Sequence, residues 1–479
     1  MNTYLFYDIE TTGLNKAFDQ IVQFAAIRTD LLFKEIERYE FMIRPRPDVI
    51  YSPEALVTNR IPISDSLQGK CEYEATRQIH TLMNEFGTIS LGYNTLGFDD
   101  EFLRFSFYRN LLPPYTHQYD KGCHRMDLLP ITIIYWLYKR DILKWPEHNG
   151  KPSMKLEYLN RQNDLAPGRA HDAMADVVAT IELAKRLSGE KEVWNYLADC
   201  FIKSIDQNRA VKLPVSFQNK NDVYRMGLMV ASEYGSDLFY QIPVLSIGDS
   251  IPYSNQSLWL RLDQVELRKT LMETIDQTTW VCRKKFGEPG IILPPLERYW
   301  KYLTSERCGI VRDNLNWLQS NPELFEAIVT HHRKYAYPEI PNIDVDAALY
   351  QIGFLSPDEQ ALCREFHSLP LDGKIKAVNR FNHPETRRLS ERLLFRNYAA
   401  HLPKSLLGDL KTYLKQVNPP NSSEALVDYR GDRRTTPQDA LLRIHAMRSE
   451  KKMDEEQLVL LDELERYLTV NFQLTPKRV

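Results

Sequence analysis

Short apolar runs open the chain, and apolar residues at helical spacing close it. Thr3 to Ile9 is a nearly continuous apolar run of strand length, interrupted by Asp8. Gln20 to Thr29 predicts a second strand and Tyr39 to Ile43 a third. Apolar positions then recur every three to four residues over Glu72–Phe86 and Asp100–Asn110, which predicts two helices. Thr88 to Tyr93 between them predicts another strand, and Asp127–Tyr138 and Ala173–Leu187 have helical spacing. Strands followed by alternating helices and strands predict an α/β domain ending near residue 190.

The pattern then changes. From about 210 to 265 the chain offers short runs such as Tyr224–Val230 and Ser257–Leu262, separated by turn-rich pieces at Tyr234-Gly235-Ser236 and Ser254-Asn255-Gln256. This predicts a small barrel or open sheet, with helices over Leu267–Thr274 and Val311–Leu318 in the same domain. Tyr337-Pro338-Glu339-Ile340-Pro341-Asn342 marks the next boundary. Beyond it helical periods dominate, ending in Glu455–Leu468 with leucines at helical spacing. A chain of 479 residues fits two or three domains. It shows no internal repeat, low-complexity tract or coiled-coil seam, so a monomer is expected.

Composition narrows the class. The chain is 43% hydrophobic and 26% charged, as expected of a globular protein with sizeable cores. No apolar window reaches membrane-span length, and the first residues lack the pattern of a signal peptide. The cysteines at 71, 123, 200, 282, 308 and 363 are scattered without a Cys-x-x-Cys pair, which favours free thiols in a reducing cytoplasm over disulfides or a zinc site. A net charge of −3 argues against a simple basic DNA-coating protein. An enzyme that clusters carboxylates to hold metal can nevertheless be near neutral overall and keep a basic groove.

Three acidic fragments carry the chemistry. Asp8 and Glu10 lie two apart on a strand and project to one face, where two carboxylates repel unless a cation or a proton intervenes. Oxygen ligands of this kind suit Mg²⁺ or Mn²⁺. Asp99 opens the helix after Phe98, and Asp176 lies within the helix after Ala173, so each offers a further ligand. Asp99 or Asp100 also reads as a simple N-cap. His171 and Asp176, five apart, would sit about 140° apart on one helix. His171 is therefore placed in the loop entering the helix, with Asp176 one turn in. An imidazole there can act as a base near neutral pH; a surface histidine near a helix start is the plain alternative.

Taken together, the order Asp-x-Glu, Asp, His-x₄-Asp resembles the DEDD class of 3′→5′ exonucleases in its histidine-bearing form. The surroundings are closer to one family. Phe6-Tyr7-Asp8-Ile9-Glu10-Thr11, Gln23-Phe24-Ala25-Ala26-Ile27-Arg28-Thr29-Asp30, Gly92-Tyr93-Asn94, Phe98-Asp99-Asp100-Glu101, Phe107-Tyr108-Arg109-Asn110 and His171-Asp172-Ala173-Met174-Ala175-Asp176 resemble bacterial exonuclease I, which degrades single-stranded DNA from its 3′ end. The resemblance is dense over 1–190, thin over 195–335, and returns weakly at Asn342–Tyr350. It implies an RNase H-like α/β exonuclease domain with a mixed sheet over 1–190, an SH3-like strand-rich domain over 195–338 and an all-helical domain over 342–479. Asp8, Glu10 and Asp176 would hold one Mg²⁺ and Asp99 would help with a second, with Mn²⁺ able to substitute. His171 would be the base, the products would be 5′-mononucleotides, and a dead-end pocket would accept the 3′-hydroxyl. Asp99 is chosen over Asp100 because it follows the motif's phenylalanine; Asp100 and Glu101 then serve the helix dipole.

Strand contacts are implied at Arg104, Tyr115, Tyr119 and Lys155, with Glu10, Thr11, Gly13 and Leu14 against the terminal nucleotide. Lys155 departs from the family, which has arginine there, and so loses a bidentate phosphate contact. Gly13 also reads as a turn residue, and the tyrosines as packing. Arg283-Lys284-Lys285-Phe286 and Arg298-Tyr299-Trp300-Lys301 interleave cations with aromatics as a single-strand groove would, or form a solvated face. The resemblance further implies DNA repair and recombination, and binding to the acidic tail of single-strand-binding protein. Competing readings are an RNA-trimming enzyme of the same class, a proofreading subunit, and a catalytically silent nucleic-acid-binding module. The chain's length counts against the first, and an intact carboxylate set against the last.

Overall fold

The computed structural model describes residues 2–169, 171–219, 222–403, 412–419, 421–450 and 452–472. Its first sheet has strand order β3-β2-β1-β4-β5, formed by β1 (Thr3–Thr11), β2 (Ile21–Thr29), β3 (Glu35–Met42), β4 (Thr88–Gly92) and β5 (His124–Asp127). β1 pairs antiparallel with β2, and β2 with β3; β1–β4 and β4–β5 are parallel. The sheet is therefore mixed. β2 is buried along its whole length. The edge strand β3 carries Glu35, Glu37, Arg38 and Glu40, charges that discourage further strand pairing.

Alternation along β1 sorts its two faces. Leu5, Tyr7 and Ile9 pack with α2 (Glu72–Met83) and α3 (Asp99–Arg109). Tyr4 and Phe6 pack on the opposite face with α4 (Leu128–Tyr138) and α6 (Ala173–Ser188). α4, Leu-Leu-Pro-Ile-Thr-Ile-Ile-Tyr-Trp-Leu-Tyr, is apolar on nearly every side and is buried from Leu128 to Leu137. Pairing between β1 and β4 ends at Phe6↔Leu91, so β1 runs on towards Thr11 without its parallel neighbour. Sequence patterning finds most of this layer. It misses β5, only four residues long, and α1 (Pro53–Asn59).

The middle of the chain forms a six-stranded antiparallel sheet of β6 (Val215–Gln218), β7 (Val223–Val230), β8 (Gln241–Asp249), β9 (Ser257–Arg261), β10 (Val281–Lys284) and β11 (Ile291–Leu293). Ser305–Ser320 and Pro322–Lys334 are helices that cover one face of it. The stretch expected as a helix over 267–274 is instead two 3₁₀ turns, Val265–Lys269 and Met272–Thr274. Threonine hydroxyls there bond locally, with Thr274 Oγ1 accepting from Leu271 N–H at 2.9 Å and Thr270 Oγ1 donating to Leu267 O at 2.8 Å.

Helices dominate the last part, among them Pro357–Ser368, α7 (Pro384–Tyr398), α8 (Pro437–Glu450) and α9 (Glu455–Asn471). These do not form a core of their own. Leu393, Leu394, Ile444, Leu461 and Leu464 pack with Tyr51, Leu56, Tyr73 and Phe105 of the first part in one apolar cluster. A buried ion cluster closes the same seam: Arg396 holds Asp48 at 2.8 Å, Arg392 holds Asp346 at 2.8 Å, and Tyr413 donates to Asp48 at 2.6 Å.

Candidate active site

Asp8 and Glu10 project from β1 on its Tyr4/Phe6 side, the face on which α6 packs, and lie opposite Ala25 and Gln23 of β2. Asp99 reaches the same place from the other layer. It is the first residue of α3, and its Oδ1 accepts the Ile9 N–H at 3.3 Å, on the stretch of β1 beyond its pairing with β4. Asp176 lies in the first turn of α6, whose N-cap is Asp172, accepting from Ala175 N–H at 3.0 Å. Before the cap, His171 takes a left-handed conformation (φ 63°) and donates its backbone N–H to Asp176 Oδ2 at 3.2 Å. Donor atoms of Glu10, His171 and Asp176 all lie within 4.8 Å of one another.

Asp127 sets the approach of Asp99. At the N-cap of α4 it accepts N–H bonds from Leu129 (3.0 Å), Asn94 (2.9 Å) and Leu96 (3.0 Å), pinning the turn that leads into α3. Arg109 at the far end of α3 is buried and donates to the carbonyls of Ala17 (2.9 Å) and Lys16 (3.2 Å), so the same helix anchors the loop after β1. Within that loop, Thr11 donates its hydroxyl to Gly13 O at 2.7 Å, and Leu14 is 75% exposed. A Cβ on Gly13 would fall 2.3 Å from Asp19 Oδ2, the atom that accepts Asn15 N–H at 2.8 Å. Glycine is required there by close approach.

No lysine or arginine pairs with these carboxylates among the described residues, and their protonation reflects it. Burial, then the charges of Asp99, Glu10, Asp176 and Asp172, raise the Asp8 carboxyl well above the usual range. Burial with Asp176 and Asp99 pushes Glu10 up to about 9. Burial raises Asp99 well above the ordinary value and Asp176 to about 6. Oxygen donors that cannot all ionise together are a fitting cradle for a hard divalent cation, which removes the repulsion. Asp8, Glu10, Asp99 and Asp176 would hold it, with the His171 ring beside them.

Asp100 faces away from this set. Its oxygens lie 2.6 Å from Arg104 and from Arg125 and 2.9 Å from His117 Nε2, and Arg125 continues to Glu288 of the middle sheet's 285–290 turn at 2.8 Å. Burial acts to raise Asp100, but the two arginines and His117 outweigh it and hold the carboxyl far below its ordinary value. Asp100 is thus an ion-cluster residue and more than a dipole partner. Glu101 likewise ties α3 to the C-terminal part, accepting from Tyr429 OH at 2.6 Å and Tyr350 OH at 3.1 Å.

Of the residues expected along a strand, Arg104 is buried in this cluster at 8% exposure, and the Tyr115 ring lies 5.8 Å from its guanidinium. Tyr119 is exposed. Lys155 is exposed at the N-cap of α5 (Leu156–Asn163), the helix whose Glu157 Oε2 lies 3.9 Å from His171 Nε2. Lys284, expected in a basic run on a strand groove, is buried and paired with Asp206 at 2.7 Å. Arg298 and Lys301 lie over neighbouring tyrosine rings. Sequence reasoning passes over Asp127, Asp172, Glu157 and Glu288. The first two are legible as acids just before apolar helical runs; the other two depend on contacts between distant segments.

A mixed sheet with Asp-x-Glu on its central strand, an aspartate at the start of α3 and a loop histidine before a helical aspartate defines an exonuclease domain, and the family model described as Exonuclease matches residues 5–184. The chain is 30% identical to exodeoxyribonuclease I of Escherichia coli over 434 residues, 85% of this chain and 86% of that protein. It belongs to the exodeoxyribonuclease I family. Among solved structures, the zinc ion bound form of an E. coli ExoI–ssDNA complex superposes with a TM-score of 0.82, at 24% identity, over 98% of this chain and 100% of that one. A structure described as SSB/Exonuclease I in complex with inhibitor CFAM gives 0.81 at 23% identity, over 98% of this chain and 100% of that one.

Proposed function

We propose that this protein is a Mg²⁺-dependent 3′→5′ exodeoxyribonuclease that shortens single-stranded DNA to 5′-mononucleotides. One observation carries the reading: three distant segments of a family member converge four unpaired carboxylates and a histidine at one end of a sheet. Asp8, Glu10, Asp99 and Asp176 are the metal ligands. A divalent cation held there supplies Lewis-acid activation of water and neutralises charge on the departing 3′-oxygen. His171, exposed and beside the set, accepts the proton of the attacking water. Thr11, Gly13 and Leu14 meet the terminal nucleotide, with Glu10 at its edge. Lys155 and Tyr119 contact the strand from exposed positions, while Arg104 supports Tyr115 from the buried ion cluster.

The same reading divides the chain into an exonuclease domain over 1–190, an SH3-like domain over 195–338 and a helical domain over 342–479, whose final residues, 473–479, lie outside the described residues. It makes the protein a cytoplasmic monomer in DNA repair and recombination, with the acidic tail of single-strand-binding protein as a partner; the SSB/Exonuclease I structure supports the last point. No helix among the described residues is long and apolar enough to cross a membrane.

A time course with Mg²⁺ on 5′-labelled and 3′-labelled oligomers, beside matched RNA and duplex DNA, tests the activity. Immediate release of mononucleotide from the 3′ label, with the 5′-labelled strand shortening gradually and RNA and duplex spared, is expected. Equal loss of RNA would make it an RNA-trimming enzyme. Strand binding without hydrolysis under any divalent metal would make it a binding module.

A further inference from the structure

His171 is carried by a segment with little support of its own. Its start is tied down where Leu165 N–H meets Asn160 O at 3.3 Å and Ala166 N–H meets Asn160 Oδ1 at 2.8 Å. Its end is tied at His171 and at the Asp172 cap. In between the backbone turns through Gly168 (φ 121°) and His171 (φ 63°), both left-handed, so no regular ladder holds it. His171 Nε2 lies 3.9 Å from Glu157 Oε2 of α5, and Arg169 reaches further, to the C-terminal part of the chain. Its Nη1 lies 3.2 Å from both carboxylate oxygens of Glu456, in the first turn of α9.

Glu456 is a firm post. It also pairs with Arg60, the left-handed C-cap of α1, and Arg60 pairs in turn with Asp454 at 2.5 Å. Asp454 caps α9 in a reciprocal capping box with Gln457. Further along the helix, Glu463 accepts the N–H groups of Ser64 at 2.7 Å and Ile63 at 3.0 Å, docking α9 on the first part of the chain. Between post and loop lies a cavity of about 620 Å³ lined by Val57, Thr58, Arg60, Arg169, His171 and Met453, among others. The Arg169–Glu456 ion pair spans this gap.

We infer that Arg169 and Glu456 are positioning residues, a tether by which the C-terminal helix holds the His171 segment over the acidic set. The inference rests on the reading that His171 acts at this site. The pair is half exposed, so it is weak and open to screening by salt. Such a tether sets where the loop spends its time without locking it.

Glu456 is the informative position to change, because an acidic side chain does not bind phosphate and its loss cannot weaken the hold on DNA by removing positive charge. In the full chain with Mg²⁺ and an oligothymidylate, Glu456→Gln is expected to lower kcat about threefold while KM stays put, the population shift that a half-exposed ion pair can impose. Amide exchange over 165–173 should accelerate in the same variant. Arg169→Gln should accelerate exchange alike, and the double variant with Glu456→Gln should exchange no faster than either single one. Unchanged exchange would overturn the tether, as would, where His171→Ala slows turnover, an unchanged kcat or a raised KM at constant kcat in Glu456→Gln. His171→Ala measured alongside separates the two ideas. If that variant turns over normally, the role of His171 fails, and accelerated exchange in Glu456→Gln would still uphold the tether.

Discussion

The two sides of the acidic site are built in opposite ways. On the strand side, Asp8 and Glu10 stand on the central strand of a five-stranded sheet, and Asp99 begins a helix whose next residue is locked in a buried ion cluster. On the loop side, Asp176 sits half-buried in the first turn of α6, and the exposed His171 hangs on a left-handed bend. Protonation follows the same gradient: Asp8 and Asp99 lie well above their ordinary values and Glu10 near 9, whereas Asp176 reaches only about 6. The denser support lies where like charges must be held together against repulsion. The lighter support lies at the histidine proposed to take up a proton.

Breaking the strand side should cost the most. Asp8→Asn is expected to reduce hydrolysis by on the order of 10³-fold or more, to abolish tight cation binding in calorimetry, and to raise the unfolding midpoint of the metal-free protein, because the folded state no longer has to hold a proton or a charge on a buried carboxyl there. Breaking the loop side should be milder. His171→Ala should lower kcat by about 10²-fold with cation binding retained; loss of binding would instead make the ring a ligand.

The supports should differ in the same direction. Asp100→Ala strands Arg104 and Arg125 as buried charges and should cost about 3–5 kcal/mol in denaturant unfolding. Asp172→Ala removes the cap of α6 but also relieves repulsion on the acidic set, and should cost at most about 1 kcal/mol. Equal losses would erase the contrast.

The raised carboxyls also give a pH signature. Because Glu10 keeps its proton up to about 9 when folded, against 4.5 ordinarily, the native state binds more protons than the unfolded chain across that interval. Above the ordinary histidine range, where the buried His80, His332 and His367 no longer pull the other way, stability of the metal-free protein should therefore fall as pH rises to about 9, and saturating Mg²⁺ should flatten the slope. A midpoint that rises with pH would contradict the geometry. Smallest of all, Lys155→Arg should lower KM for DNA a few-fold by restoring a bidentate phosphate contact.

Much of the strand side is legible in the sequence. Period-two alternation puts Asp8 and Glu10 on one face of β1, and the apolar runs locate β2, β4 and the helices that cover them. Position within a helix also places Asp99 at a start and Asp176 one turn in. The difference between Asp99 and its neighbour Asp100 is not local. Both are first-turn acids of α3, and they part only because β1 offers a free N–H to one while Arg125 and His117 converge on the other. For the same reason Lys284 and Arg104 read as free cations along the chain and are buried partners in the folded protein.

The sequence alone determined the residue types, the order of the acidic fragments and the strand and helix periods that carry them, because side-chain chemistry and backbone periodicity are local properties. Tertiary structure decided which charges meet. The raised protonation of Glu10, the sharing of a core between the first and last parts of the chain, and the reach of Arg169 to Glu456 across 287 residues all arise from contacts between distant segments. No periodicity encodes them, since burial and Coulomb energy depend on distance in space and not on separation along the chain.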